Sequence, residues 1–342
     1  MNMRKVPEHE EDARKIQLLE ISHLKTSFFT HLGEVKAVDD VSISLGESET
    51  LGIVGESGSG KSVTMLSVMR LLADNGRIVS GGIHFRGKDL AKLSEGEMEH
   101  LRGKQIGMIF QDPMTSLNPV FTIGNQLTEM IARHLGLGKK DARDRAVEML
   151  STVMIPSPAQ RMRQFPYELS GGMRQRVMTA MALCCHPDIL IADEPTTALD
   201  VTIQAQIIDL LKDLKSRIGT SVILITHDLG VVAGLCDKVC VMYAGQVVES
   251  GSSADIFYTP RHPYTKGLLK SVPNPKKIMK ERLVPIRGTP PDLLKPPLGC
   301  AFAPRCDHTM KICILRRPPL FEVGEGHGAS CFLNHPDLPA SA

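Results

Sequence analysis

Apolar and polar positions alternate over Ile16–Phe29 and again over Val38–Leu45, the pattern of half-buried strands, with Gly33 in the turn between them. Leu51-Gly52-Ile53-Val54 is apolar throughout, as a strand covered on both faces would be, and Val63–Leu72 behind it has helical spacing. Gly82–Arg86 and Ile106–Phe110 read as further strands, the second stopping at Gln111-Asp112-Pro113. The period then lengthens to that of helices over Ile123–Leu135 and Lys140–Met154, broken by a turn at Pro156 and Pro158, and a helix opened by Leu169–Gln175 runs to about Cys185. Strand and helix alternate afterwards: Ile189–Ala192, Val201–Ile218, Val222–Thr226 and Leu229–Leu235. A strand pair follows, Lys238–Tyr243 and Gln246–Glu249 about Ala244-Gly245. This order predicts an α/β domain over 16–271, with an antiparallel sheet ahead of a parallel sheet flanked by helices and a helical insertion near 112–186. Residues 1–15 are too charged to bury a core and are expected to be a disordered arm. From Pro273 prolines crowd the chain, so 272–342 is expected to be an extension without regular helix or sheet.

Between the all-apolar strand and the first long helix lies Gly55-Glu56-Ser57-Gly58-Ser59-Gly60-Lys61-Ser62, a Gly, four free positions, then Gly-Lys-Ser. Gly55, Gly58 and Gly60 let successive N–H groups turn inward and form an anion cradle at the helix start. Lys61 brings a full charge to the outer phosphates, and the Ser62 hydroxyl suits Mg²⁺. In open parallel sheets ligands bind beyond the carboxyl ends of the strands. Asp193 and Glu194 end one strand there, Gln111 a second and His227 a third, so all are expected beside Lys61. Asp193 suits the Mg²⁺ shell with Ser62 and Gln111, Glu194 can polarise an attacking water, and His227 can donate to the γ-phosphate. Lys61, Glu194 and His227 are the expected catalytic groups. Leu169-Ser170-Gly171-Gly172 ahead of a helix makes a second anion site, which one nucleotide in one chain does not need.

At 342 residues the chain is long enough for about two domains, and a net charge of +2 with interspersed signs gives no argument for nucleic acid. No apolar stretch approaches a membrane span and no secretory signal is evident, so a cytosolic protein is expected. Of the eight cysteines, Cys184, Cys185, Cys236 and Cys240 fall in apolar helix or strand patterns and read as small buried hydrophobes. Cys300, Cys306, Cys313 and Cys331 gather in the proline-rich tail, where a metal centre can replace a hydrophobic core. Their spacing lacks the close pairs typical of structural zinc, and zinc, an iron–sulfur cluster and free thiols all remain open on the residues alone.

Together, Gly55–Ser62, Gln111, Leu169–Gln175, Asp193-Glu194, Thr197-Ala198-Leu199-Asp200 and His227, in that order, resemble the ATP-binding-cassette family of transport ATPases. The resemblance implies an ABC-type nucleotide-binding domain that binds ATP and Mg²⁺ through Gly55, Ser57, Gly58, Ser59, Gly60, Lys61, Ser62, Val63, Gln111, Asp193, Glu194 and His227. Phe28 is the counterpart of the residue that stacks on adenine. Two cassettes are implied to close head to tail, with Ser170, Gly171, Gly172, Gln175 and Asp200 facing the ATP of the partner subunit. Met173 departs from the commonest signature, which has Gln there.

A narrower resemblance, carried by Met173–Arg176, Glu194–Asp200, His262-Pro263-Tyr264-Thr265 and the Cys-rich tail, is to the ATPase subunits of bacterial dipeptide and oligopeptide importers, some of which carry nickel. It implies a paralogous second ATPase subunit, two membrane permeases contacted through the segment after Gln111 (including Thr115–Pro119), an external solute-binding protein, and a place on the cytoplasmic face of the membrane. It also favours a [4Fe–4S] cluster on Cys300, Cys306, Cys313 and Cys331, with zinc as the alternative. Two other readings are a soluble cassette protein acting on ribosomes or DNA and an iron–sulfur redox protein with a regulatory nucleotide.

Overall fold

The computed structural model describes residues 17–112, 116–195, 201–271 and 285–337, with the side chains at 201–203, 210 and 214–218 left out. The expected arm at 1–15 and Thr197–Asp200 lie outside the described residues, as does Thr115 of the segment expected to meet a permease.

β1 (Gln17–Thr30) and β2 (Gly33–Gly46) pair antiparallel, with Phe28 opposite Val35 and Thr30 opposite Gly33. β3 (Thr50–Val54) leads through the Gly-rich loop into α1 (Lys61–Met69). β4 (Gly76–Phe85) returns to the free edge of β1, and β5 (Lys88–Asp89) pairs with it, giving a four-stranded sheet in the order β2-β1-β4-β5. After α2 (Glu95–Leu101) and β6 (Ile106–Ile109) come α3 (Ile123–Leu135), α4 (Lys139–Thr152), α5 (Pro158–Arg161) and α6 (Gly171–Leu183). The alternation resumes with β7 (Ile189–Asp193), α7 (Val201–Ile218), β8 (Ser221–Thr226), α8 (Leu229–Leu235), β9 (Lys238–Tyr243) and β10 (Gln246–Ser252). Short helices α9 (Ser253–Tyr258), α10 (Pro263–Lys270) and α11 (Lys311–Leu315) precede the hairpin of β11 (Phe321–Gly324) and β12 (His327–Ala329).

The larger sheet has eight strands in the order β11-β12-β10-β9-β3-β8-β7-β6. Its β6, β7, β8, β3 and β9 run parallel, whereas β10 and the β11–β12 hairpin are antiparallel. Every residue of β3, β7 and β8 is buried, which is why these strands are apolar without alternation. One core, built around Ile53, Met65, Ile191 and Ile223, fills the space between α1, the smaller sheet and one face of the larger one. On the opposite face a second core joins Leu127, Leu150, Val177, Leu211 and Val232 from the helices to Tyr264 and Phe302 of the C-terminal part. Helix α6 lies so close to β6 that a Cβ on Gly107 would stand 2.4 Å from the Ala182 carbonyl oxygen.

Several parts depart from the sequence expectation, the short helices α9 and α10 and the strand β5 among them. Helix α2 was not foreseen, although Ser94 and Glu97 form a reciprocal capping box: the Glu97 N–H donates to Ser94 Oγ (3.3 Å) and the Ser94 N–H to Glu97 Oε2 (2.7 Å). The tail, expected to lack regular structure, adds β12 to β10 and β11 to β12. Its prolines leave 320–335 free, and Gly326, at φ 66°, turns the hairpin. Glu249 on β10, fully buried, clasps this region: its carboxylate accepts the N–H groups of Arg261 (2.6 Å) and His262 (3.0 Å) and lies 2.9 Å from His327 Nε2 on β12.

Candidate nucleotide site

The Gly-rich loop needs its glycines for space as well as for angle. A Cβ on Gly55 (φ 155°) would sit 2.1 Å from the Met242 carbonyl oxygen, and one on Gly60 (φ 97°) 2.5 Å from that of Ala37. Gly60 is the N-cap of α1, so the loop's N–H groups and the helix terminus share one mouth, with Ser57 and Gly58 exposed at its tip. The Ser59 hydroxyl is buried without a hydrogen-bond partner among the described residues. Lys61 folds back on the loop, its ammonium donating to the carbonyls of Gly55 (2.8 Å) and Glu56 (2.9 Å). Burial pushes its pKa below the usual lysine value, against the opposing pull of Glu194, Asp193 and Glu56.

The strand ends converge on this mouth. Ser62 Oγ donates to Asp193 Oδ1 at 2.9 Å, joining α1 to the end of β7. Burial raises the Asp193 carboxyl above the usual aspartate value, and neighbouring Glu194 adds to the rise while Ser62 and Lys61 oppose it. Glu194 follows in the left-handed region (φ 46°), with its N–H held by the Ile225 carbonyl of β8 (2.9 Å). Its side chain takes a hydrogen bond from Gln111 Nε2 (3.1 Å), beyond β6, and lies 3.6 Å from His227 Nδ1, beyond β8. The three strand tips thus meet at one carboxylate, as the parallel topology requires.

Set against known proteins, residues 38–197 match the ABC transporter family and residues 248–313 the C-terminal region of oligopeptide/dipeptide transporters. The oligopeptide transport ATP-binding protein OppD of Bacillus subtilis is 56% identical over 95% of this chain and 91% of its own length. That of Salmonella typhimurium is 54% identical over 92% and 93%, and the dipeptide transport ATP-binding protein DppD of B. subtilis 54% over 93% and 95%. The chain belongs to the ABC-type ATPase subunits of oligopeptide and dipeptide importers. A solved ATP-binding cassette dimer in a post-hydrolysis state with ADP and phosphate superposes on 69% of the chain and 98% of its own, with a TM-score of 0.63 at 26% identity. The ABC nucleotide-binding fold accounts for the mixed α/β body with its antiparallel sheet, and the oligopeptide/dipeptide region takes in most of β10 and the segment carrying three tail cysteines. Among the described residues, no helix of this ABC subunit is long and apolar enough to cross a membrane.

Other expected site residues of the ATPase are placed less uniformly. Phe28 is half-buried, its ring covering Gly76 of β4, where a Cβ would come within 2.8 Å; Phe29 is 47% exposed under the Arg77 guanidinium. Ser170 is the exposed N-cap of α6, accepting the Met173 N–H at 3.4 Å, with Gly171 exposed beside it and Gly172 half-buried. Gln175, also expected to face a partner's ATP, is 2% exposed within the single chain, on the packed side of α6. Asp200 lies outside the described residues.

The four tail cysteines do come together. Cys300, Cys306, Cys313 and Cys331 line one cavity with about 10 Å³ of free space, walled by Phe302 and Phe332. Burial pushes the Cys300 and Cys306 thiols up and that of Cys331 to about 11, and Cys313 adds to each rise. Among the described residues no three or more His, Cys, Asp or Glu side chains are grouped closely enough for a single metal ion. Cys184, Cys185, Cys236 and Cys240 are buried in the main cores, as expected. Sequence reasoning missed Glu56, Tyr264 as its partner, and Arg305. Glu56 stands in a position of the loop pattern that admits any residue, and its contacts lie 208 and 249 residues away.

Proposed function

We propose that this ATPase subunit hydrolyses MgATP at the Lys61–Ser62–Asp193–Glu194 mouth and that closure against a second cassette completes the site. The observation that carries the reading is the meeting of Gln111, Glu194 and His227 beside the Ser62–Asp193 hydrogen bond. Ser62, Asp193 and Gln111 are oxygen donors suited to magnesium, which when bound neutralises phosphate charge. Lys61, already freed from water by burial, exchanges its loop carbonyls for phosphate oxygens, with Gly55–Val63 supplying the N–H cradle. Glu194 orients the attacking water and takes its proton, while His227, 67% exposed on its side chain, donates to the γ-phosphate. Phe28 stacks on adenine, and Ser170, Gly171 and Gly172 of a second cassette, with Asp200, cap the triphosphate from the far side.

The relatives' names support peptides as the solute over nickel. The importer family implies permease partners, and the proposed assembly has two of them, a paralogous ATPase subunit and an external solute-binding protein, with this chain on the cytoplasmic face of the membrane. The expected test pairs two variants of the assembled transporter. Glu194→Gln keeps ATP binding within about threefold of wild type and lowers turnover about 10²-fold or more, whereas Lys61→Ala weakens binding itself. Wild-type turnover by Glu194→Gln would place the base elsewhere.

Cys300, Cys306, Cys313 and Cys331 form an all-thiol donor set, suited to a [4Fe–4S] cluster or zinc rather than to a hard cation. Bound metal would supply the positive charge that four crowded thiolates need. We assign the cluster first, because the resemblance to the importer ATPases implies it and the cysteine spacing lacks the close pairs typical of structural zinc. Anaerobically purified protein should absorb in the visible and contain about four iron atoms, both lost in Cys306→Ser. A colourless protein with one zinc would reverse the assignment.

A further inference from the structure

The Arg305 guanidinium, on a side chain only 4% exposed, reaches from the tail to the second residue of the phosphate loop. Its Nη1 and Nη2 donate to Glu56 Oε2 (2.5 Å) and Oε1 (2.9 Å), a bidentate pair. The remaining donors go to the Tyr243 hydroxyl (3.3 Å), the Ile286 carbonyl (3.3 Å) and, from Nε, the Arg287 carbonyl (2.9 Å), so all five N–H groups of the fork are used. The rings of Tyr243 and Phe302 lie 5.7 and 5.9 Å from its central carbon.

Glu56 is held from its other sides as well. Its N–H donates to the Tyr264 hydroxyl (2.8 Å), and its carbonyl accepts Lys61 Nζ (2.9 Å) and the Ser59 N–H (3.2 Å). One residue therefore joins the loop's catalytic lysine to two residues from the C-terminal part. Arg305 is placed by the short turn Ala303–Arg305, which lies between Cys300 and Cys306 and is closed by the Cys306 N–H on the Ala303 carbonyl (3.3 Å). Cys300 is tied in turn to Cys313 by a 2.7 Å backbone hydrogen bond.

We propose that Arg305 is a positioning residue for ATP binding, neutralising and fixing Glu56 so that Lys61 stays available to phosphate, and that the four-cysteine pocket acts on nucleotide affinity through it. The proposal rests on the reading of Gly55–Ser62 as the ATP site. Without Arg305 the Glu56 carboxylate loses its bidentate partner, and the cation on the loop is Lys61, whose ammonium already donates to the Glu56 carbonyl at 2.9 Å. The carboxylate then competes with the triphosphate for that ammonium. A purely structural role for Arg305 predicts a less stable protein. The competition predicts, in addition, that removing Glu56's charge repairs the defect.

The experiment measures the Kd of a fluorescent ATP analogue, with Mg²⁺, for full-length variants in the assembled transporter. Arg305→Ala should raise Kd about tenfold and Arg305→Lys about threefold, since a lysine makes a point contact where the fork made two. The Arg305→Ala/Glu56→Gln double variant should return to within about threefold of wild type. Cys306→Ser should raise Kd in the wild-type background and add nothing to Arg305→Ala. Unchanged affinity in Arg305→Ala, or a double variant no better than Arg305→Ala, overturns the positioning role. Additive effects of Cys306→Ser and Arg305→Ala overturn the link to the cysteine pocket. Should Arg305→Ala not fold, Arg305→Lys and its double variant with Glu56→Gln carry the same comparison. Lys61→Ala, run alongside, separates the two readings: if it too binds ATP normally, the site assignment has failed and not only the role of Arg305.

Discussion

At the scale of single residues, Glu194, the proposed base, also carries a local cost. A non-glycine residue at φ 46° is held in a sparsely populated region at an expense of about 1–3 kcal/mol. The hydrogen bond from its N–H to Ile225 and the approach of Gln111 and His227 to its carboxylate hold it there. His227 is mostly exposed, so removing it should not disturb the core. We expect His227→Ala to lower kcat about 10²-fold while leaving ATP affinity within about threefold, checked by steady-state ATPase assays beside nucleotide titration. A matching loss of affinity would make His227 a binding group rather than a transition-state one. The residues at this mouth were legible in the sequence because each ends an apolar strand or sits in a spaced loop pattern, and a parallel sheet gathers such ends at one edge. Arg305 and Glu56 were not, because a pair 249 positions apart has no local signature.

Among the elements, the periodic segments were easiest to foresee: α3, α7, α8 and β9 coincide with their expected bounds. Helix α2 escaped because only Met98 and Leu101 along it are apolar, so its capping box stood ahead of too sparse an apolar pattern. Hairpin β11–β12 escaped because a proline-rich composition was averaged over a segment whose last strands contain none. One tight approach between elements is Gly107 of β6 against the Ala182 carbonyl of α6, backbone on backbone. Gly107→Ala should cost about 1–3 kcal/mol in stability, since neither partner can rotate away. Because β6 leads to Gln111, and α6 begins at Ser170, the same variant should also lower ATPase activity in the assembled transporter. Denaturant melts and turnover of the purified variant test both, and wild-type values would mean that the helical insertion shifts freely on the sheet.

For the molecule as a whole, the question is whether the tail is an appendage or part of the ATPase's framework. It is tied to three separate elements: to β10 through Glu249 and His327, to the phosphate loop through Arg305, and to β2, where Arg317 pairs with Asp39 and the Lys36 N–H donates to the Leu293 carbonyl (3.1 Å). Burial alone would raise the Asp39 carboxyl, but Arg317 and Lys25 outweigh it and hold it below the ordinary 3.8. A carboxyl lowered on folding binds fewer protons in the native than in the unfolded chain, so this tie adds stability above about pH 4 and loses it as pH falls further. Arg317 is partly exposed and the gain is correspondingly small, below about 1 kcal/mol. Glu249 matters more, because it is fully buried and serves Arg261, His262 and His327 together. Glu249→Ala leaves buried N–H groups without an acceptor and should cost about 3 kcal/mol, while Glu249→Gln, which keeps an oxygen in place, should cost less. If the tail is framework, the loss appears as one cooperative transition at lower temperature, with nucleotide affinity falling alongside. Were it an appendage, the tail would become protease-sensitive first, and the remaining cassette would melt and bind ATP as before.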